Sequence, residues 1–316
     1  MTGTRDARRA IRPDPVSGQQ FDISHGAQRV TVVEVGGGLR QYTVDGRELL
    51  AGYDAQTRCT GARGLPLIPW PNRIRDGAYT FAGRSYQVPL TEPDKHNAIH
   101  GFLRWRNWTC RGQDTAHVSM GTVLRPMMGY PFTLDVTVDY RLDEDGLTIQ
   151  TTATNVGEGT CPYGAGHHPY LSVGTELIDP CTLQLEAGRY LPTDERGLPT
   201  GRLDVDGSPF DFRSGRTIGA QNIDFTFTDL ARDDDGRAWV GLTAPDGTKA
   251  AIWADENYPF IELYTSHTQP APYFRTGLGV EPMTCAPNAF RTGEGLVRLE
   301  PGQMSSAAWG ISGFRG

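Results

Sequence analysis

The chain has 316 residues, of which 39 are glycine and 22 proline, with 38% hydrophobic residues and a formal net charge of -7. An acidic balance argues against a general nucleic-acid binder, whose affinity comes mostly from an excess of Lys and Arg neutralising phosphates, and favours a neutral or small polar ligand. The length allows one large β domain or two smaller ones, and the Gly and Pro content fits short strands joined by tight turns better than a helical bundle.

The chain opens with MTGTRDARRAIRPDPVSGQQ, which carries charge but lacks the apolar run a signal peptide needs. Residues 1–18 are expected to form a loose arm, with a single domain over 19–316. No stretch approaches the roughly 20 apolar residues that cross a bilayer. A soluble, cytoplasmic protein without membrane or nucleic-acid partners is expected, as a monomer or homodimer.

From Phe21 onward β-rich runs recur in order: RVTVVEV, GAYTFAGRSYQV, TLDVTVDYRL, GLTIQTTATNV, AWVGLTA, TKAAIWAD and FIELYTS. Alternating side-chain character and β-branched enrichment mark them as strands. Asp-Gly pairs at Asp45-Gly46, Asp76-Gly77, Asp145-Gly146, Asp206-Gly207, Asp235-Gly236 and Asp246-Gly247 supply the positive φ that hairpins need. The clearest hairpin is WVGLTAPDGTKAAIWAD, turning at Pro245-Asp246-Gly247. No long amphipathic helix, linker or short repeat interrupts the pattern, so the class is all-β and a solenoid or propeller is disfavoured. Cys59, Cys110, Cys161, Cys181 and Cys285 are scattered without CxxC spacing and odd in number, as expected of reduced thiols.

Four polar residues stand out in apolar, Pro/Gly-punctuated segments: Arg73 in PWPNRIRDG, His100 in HNAIHGF, His168 in GHHPYL and Glu281 in GLGVEPMTCAPNAF. Glu281, between Val280 and Pro282, is an expensive carboxylate unless it has partners, or else an edge-strand residue facing water. Glu262 in FIELYTS has a similar setting and is its rival. His167 and His168 point to opposite faces if their segment is extended, so only one should reach a pocket; Pro169 favours extension at His168. Gly101 after His100 would allow close chain passage or an unusual backbone angle. Arg73, held after two prolines, could donate a fork of hydrogen bonds. Asp224 in QNIDFTFTDL is a candidate acceptor. Trp70, Trp105, Trp108 and Tyr170 could wall a site or simply fill the core.

Two imidazoles, a carboxylate and a guanidinium can move a proton onto one oxygen and off another, which is what opening and reclosing a sugar ring requires. The sequence has no HExxH, GxSxG elbow or P-loop, and Gly36-Gly37-Gly38 lacks the dinucleotide fingerprint. No cofactor and no metal are expected, although a His/His/Glu metal site assembled in space stays open.

Together these motifs resemble the aldose 1-epimerase (galactose mutarotase) family from about Val30 to Trp309. The family's Asn-Arg matches Asn72-Arg73, its His-Gly matches His100-Gly101, its His-x-Tyr matches His168-Pro169-Tyr170, its sugar-binding aspartate Asp224 and its catalytic glutamate Glu281. The resemblance implies a large antiparallel β-sandwich, the galactose mutarotase-like supersandwich, and a small-molecule sugar substrate. It implies Glu281 as base towards O1, His168 as acid towards the ring oxygen, and His100, Arg73 and Asp224 as residues that hold the sugar and help the charge shift; Asn72 and Tyr170 in the matching motifs, and Trp105 by its closeness in sequence to one of them, are further sugar-binding candidates.

Two departures bear on substrate: His167 stands where the family more often has Asn, and Glu281-Pro282-Met283 replaces its Glu-x-Gln. IPWPNRIRDG, NAIHGFLRW and EPMTCAPNAF are closer to a bacterial subgroup that includes sulfoquinovose mutarotases, and Arg73, Arg75, Lys95, Arg104 and Arg106 could meet a sulfonate. A non-catalytic sugar-binding or sensor protein on the same fold is the competing expectation.

Overall fold

The computed structural model describes residues 14–314. Of the arm expected over 1–18, residues 1–13 lie outside the described residues, while Ser17 is buried, its Oγ donating to the Ala55 carbonyl at 3.0 Å.

Four of the runs read from the sequence, TLDVTVDYRL, GLTIQTTATNV, AWVGLTA and TKAAIWAD, lie in a nine-stranded antiparallel sheet. In space its strands run Thr109–Gln113, His117–Leu124, Leu134–Asp143, Gly146–Asn155, Met304–Phe314, Lys249–Ala254, Ala238–Thr243, Thr182–Leu185 and Arg216–Thr217. Strict alternation sets its register. Leu134, Val136, Val138, Tyr140 and Leu142 all point inward from one strand, and that strand pairs residue for residue from Leu134 opposite Asn155 to Asp143 opposite Gly146. Each such burial contributes roughly 1.5–3 kcal/mol.

The hairpin turning at Pro245-Asp246-Gly247 forms with Thr243 opposite Lys249 and Gly247 at φ +85°. The run GAYTFAGRSYQV is not one strand but two, Ala78–Phe81 and Arg84–Gln87. Ala82 and Gly83 both take positive φ, +47° and +75°, so the chain reverses in two residues.

The second large sheet is also antiparallel, ordered Leu203–Asp204, Ala187–Leu191, Asp224–Leu230, Phe260–Tyr264, Leu278–Met283, Gly166–His167 and Pro66–Leu67, with Tyr170–Leu171 pairing further along Leu278–Met283. Alternation again divides its two faces. Ile261, Leu263 and Val280 enter the main core, whereas Glu262, Tyr264 and Glu281 lie on the opposite face. That polar second face carries the site. A four-stranded sheet, Gln20–His25 to Arg47–Glu48, completes the frame.

The only α-helix among the described residues is Ala289–Thr292, and none is long and apolar enough to cross a membrane. All five cysteines are unpaired.

Candidate active site

Three neighbouring strands lay out the floor of a cleft of about 310 Å3, within the ~300–1,000 Å3 range of small-ligand sites. Asp224 sits opposite Tyr264, Thr226 opposite Glu262, Glu262 opposite Glu281, and Tyr264 opposite Gly279. Gly279 leaves room for the tyrosine, since a Cβ there would meet Tyr264 Cβ at 3.1 Å. Asn72, Arg73, His100, His168, Tyr170, Asp224 and Glu281 all line this cleft. Residues separated by up to 209 positions (281 minus 72) therefore meet on one surface.

The adjacent histidines separate as their extended backbone dictates. His167 turns between the sheets, its Nε2 2.7 Å from Thr151 Oγ1 and its ring 5.1 Å from that of Trp309. His168 turns into the cleft, its Nε2 3.2 Å from Glu281 Oε1 and its ring stacked on Tyr170 at 4.8 Å and 9°. His168 is 5% exposed and Glu281 3%. Burial, then the Arg63 charge behind Tyr170, pushes His168 down to about 3. Burial, then Glu262 and Asp224, pushes Glu281 well above the usual carboxylate range. Both directions favour neutral forms, so the contact is best described as an imidazole and a carboxyl sharing one proton.

His100 is held differently. Its backbone is left-handed at φ +60°, and its Nδ1 accepts from the Asn72 amide at 3.2 Å. The ring proton is therefore on Nε2, available to a ligand. Burial, then His168, Arg104 and Arg73, holds this imidazole neutral, well below its ordinary pKa. Gly101 uses both freedoms expected of it: φ is +64°, and a Cβ would fall 2.0 Å from the Ile68 carbonyl oxygen.

Arg73 is less free than its sequence suggests. Glu92 takes two arms of its guanidinium, Nε to Oε2 at 2.8 Å and Nη2 to Oε1 at 3.0 Å. Burial opposes that charge, and Glu92 with Asp224 and Glu262 more than offsets it. Tyr264, Thr268 and Gln269 also line the cleft. Of these only Tyr264 had a sequence signal, lying two residues beyond Glu262 in an alternating strand.

Trp105 does not reach the cleft lining, contrary to its expected sugar contact. It closes a 3-10 turn, Leu103–Trp105, whose Leu103 is buried, so its own ring faces outward, 57% exposed and 4.0 Å from the Arg104 guanidinium. Trp70 and Trp108 fill the core. The ligand atoms of His100, His168 and Glu281 lie within 4.8 Å of one another, a spacing that could also hold a cation.

His167 gives a stability prediction. Burial holds its pKa at about 3, against an ordinary 6.5. Between those values the unfolded chain binds a proton that the folded chain refuses, so stability is present above pH 6.5 and lost as pH falls. His167→Asn should remove one proton from that dependence, about 1.4 kcal/mol per pH unit of slope, in denaturant titrations from pH 6.5 to 4. An unchanged slope would show that His167 accepts its proton while folded.

A polar cleft carrying an imidazole–carboxyl pair on one face of a large antiparallel sandwich places the chain among galactose mutarotase-like folds. A solved aldose epimerase homologue from C. elegans superposes with a TM-score of 0.83 over 94% of this chain and 99% of that one, at 20% identity. The sequence profile of the family described as aldose 1-epimerase matches residues 19–312, and the chain belongs to that family. An uncharacterized Escherichia coli K12 protein, YihR, is 34% identical over 95% of this chain and 94% of its own length. The E. coli K12 aldose 1-epimerase is 31% identical over 68% of this chain and 63% of its own length.

Proposed function

We propose that the chain is an aldose 1-epimerase interconverting the α and β anomers of an aldohexose, with Glu281 and His168 as proton carriers. The observation that carries this reading is their 3.2 Å contact inside the cleft. O1 and the ring oxygen are both bonded to C1, so two groups that touch each other can serve both.

With the shared proton on His168, Glu281 takes the proton of O1–H as His168 gives its own to the ring oxygen. The C1–ring-oxygen bond breaks and the O1–C1 bond becomes the aldehyde carbonyl. Rotation about C1–C2 presents the other face, and the transfers reverse. The pair holds one proton before and after ring opening. His100 Nε2–H would stabilise charge on oxygen, with the Arg73 guanidinium, which Glu92 and the Gly197 carbonyl hold at the cleft wall, adding positive charge nearby.

Arg104 favours an anionic substituent on the sugar, as in sulfoquinovose. It lines the cleft at 8% exposure, has no carboxylate in ion-pair range among the described residues, and leaves a buried Nε without a partner. Burial lowers it to about 10, still charged at neutral pH. By contrast, Arg73 is committed to Glu92, and Lys95 lies 3.9 Å from the same carboxylate. Arg104→Gln should raise KM for an anionic hexose about 10- to 100-fold, the cost of a charge-assisted hydrogen bond, and leave a neutral hexose nearly unaffected. Equal effects on both would remove Arg104 from substrate selection.

The reaction itself is tested by optical rotation of a freshly dissolved pure anomer. Faster relaxation with protein is expected. Sugar binding without faster relaxation would make the chain a sugar-binding protein instead.

A further inference from the structure

We propose that Glu262 is a positioning residue for proton transfer: facing Glu281 across adjacent strands, it titrates coupled to that residue and keeps its own proton, so that Glu262 stays neutral while Glu281 serves as base. The functional meaning rests on the reaction proposed above; the coupled titration can be tested apart from it.

Glu262 is directly opposite Glu281 in the register of Phe260–Tyr264 with Leu278–Met283. Directly opposed side chains in an antiparallel pair have Cβ atoms about 4.5–5.5 Å apart. Both carboxyls leave the same face of the sheet, since Ile261, Leu263 and Val280 occupy the other. Both are almost fully enclosed, Glu262 at 2% and Glu281 at 3% exposure. Two carboxylates so placed and so shielded from water cannot both ionise near neutrality.

The groups facing the pair do not supply enough positive charge to change that. Asp224, two residues from Thr226 on the neighbouring strand, adds negative charge. Arg73 is the nearby cation, and Glu92 already holds it by two bonds. His168, on Glu281, and His100 are both held neutral, and Tyr170 is kept from ionising by its own burial.

Glu262 is also fixed in place. Thr226 Oγ1 donates a hydrogen bond to its Oε2 from the strand beyond, and the Asn72 side chain also donates to this carboxyl. On Glu281, Oε1 meets His168 while Oε2 is buried without a partner, the oxygen left for a substrate hydroxyl. Burial, then Asp224, holds Glu262 up to about 8. During ring opening Glu281 takes the O1 proton while the proton on Glu262 stays where it is.

The test is carboxyl NMR on protein labelled with 13C at glutamate Cδ, titrated from pH 4 to 10, with resonances assigned by loss in each Gln variant. In the wild type, the Glu262 and Glu281 carbons should both move at the same two pH values. In Glu262→Gln, Glu281 should move once, its upper step gone; in Glu281→Gln, Glu262 should likewise move once, because coupling is reciprocal.

Carboxyls that each titrate in one step, unchanged by loss of the other, would overturn the proposal. Thermal melts of both isosteric variants separate lost coupling from lost fold. A chain without anomer exchange would still give this titration, so failure of the reaction and failure of the pair are read separately. Where exchange occurs, the pH profile of kcat/KM should lose the matching inflection in Glu262→Gln while KM stays unchanged.

Discussion

Glu281→Gln should lower kcat/KM for anomer exchange by about 10²- to 10⁴-fold, the usual contribution of a positioned acid or base. The amide keeps the shape and a hydrogen-bonding oxygen at the Oε1 position, 3.2 Å from His168, but cannot take a proton from O1. Sugar affinity should change little, because Arg73, His100 and Asp224 still line the cleft. The fall therefore belongs in kcat, as expected when an interaction made only in the transition state is removed.

Stability should move the other way. Glu281 sits in surroundings that push it towards the neutral form, first through burial and then through Glu262 and Asp224. A neutral amide relieves that cost, so the variant should melt no lower than the wild type at pH 7 and higher above it. Lost activity with a clearly lower melting temperature would instead mark Glu281 as structural.

His168→Gln should give a loss of similar size, about 10²- to 10⁴-fold in kcat. Gln can keep a donor near Glu281 but cannot hand a proton to the ring oxygen and recover it. Unlike the Glu281 change, this one should cost stability, because the stack on Tyr170 at 4.8 Å is lost and a loosened Tyr170 no longer shields the Arg63 guanidinium 3.9 Å from its ring. The comparison separates the two residues: equal kinetic losses but opposite changes in melting temperature. A His168→Gln protein with near-wild-type kcat would pass the acid role to His100, whose ring centroid lies 5.4 Å away.

Local chemistry was legible in the residues themselves. Strict alternation in TLDVTVDYRL set the inward row from Leu134 to Leu142, and the adjacency of His167 and His168 placed one in the core and one in the cleft. What could not be read was the register between distant segments. Nothing in FIELYTS says that Glu262 faces Glu281, since that depends on how two strands align, and a slip of one residue would have turned one carboxyl into the core.

The Glu92 clamp on Arg73 was hidden for the same reason, as it joins the short strand Arg73–Arg75 to a residue 19 positions further on rather than following one pattern. Trp105 misled because closeness in sequence to a motif does not fix direction in a three-residue turn, whereas Arg104 beside it lines the cleft. Glu281 was weighed as an edge-strand residue, yet its strand lies inside the sheet, with Phe260–Tyr264 on one side and Gly166–His167 on the other.

The most direct test of the central claim is NMR saturation transfer between the α and β anomeric protons of galactose, glucose and sulfoquinovose, with and without the wild-type protein at neutral pH. Transfer that appears only with protein, and is strongest for the anionic sugar, is the predicted result. No added transfer with any of the three, from protein shown to bind one of them in the cleft, would contradict it.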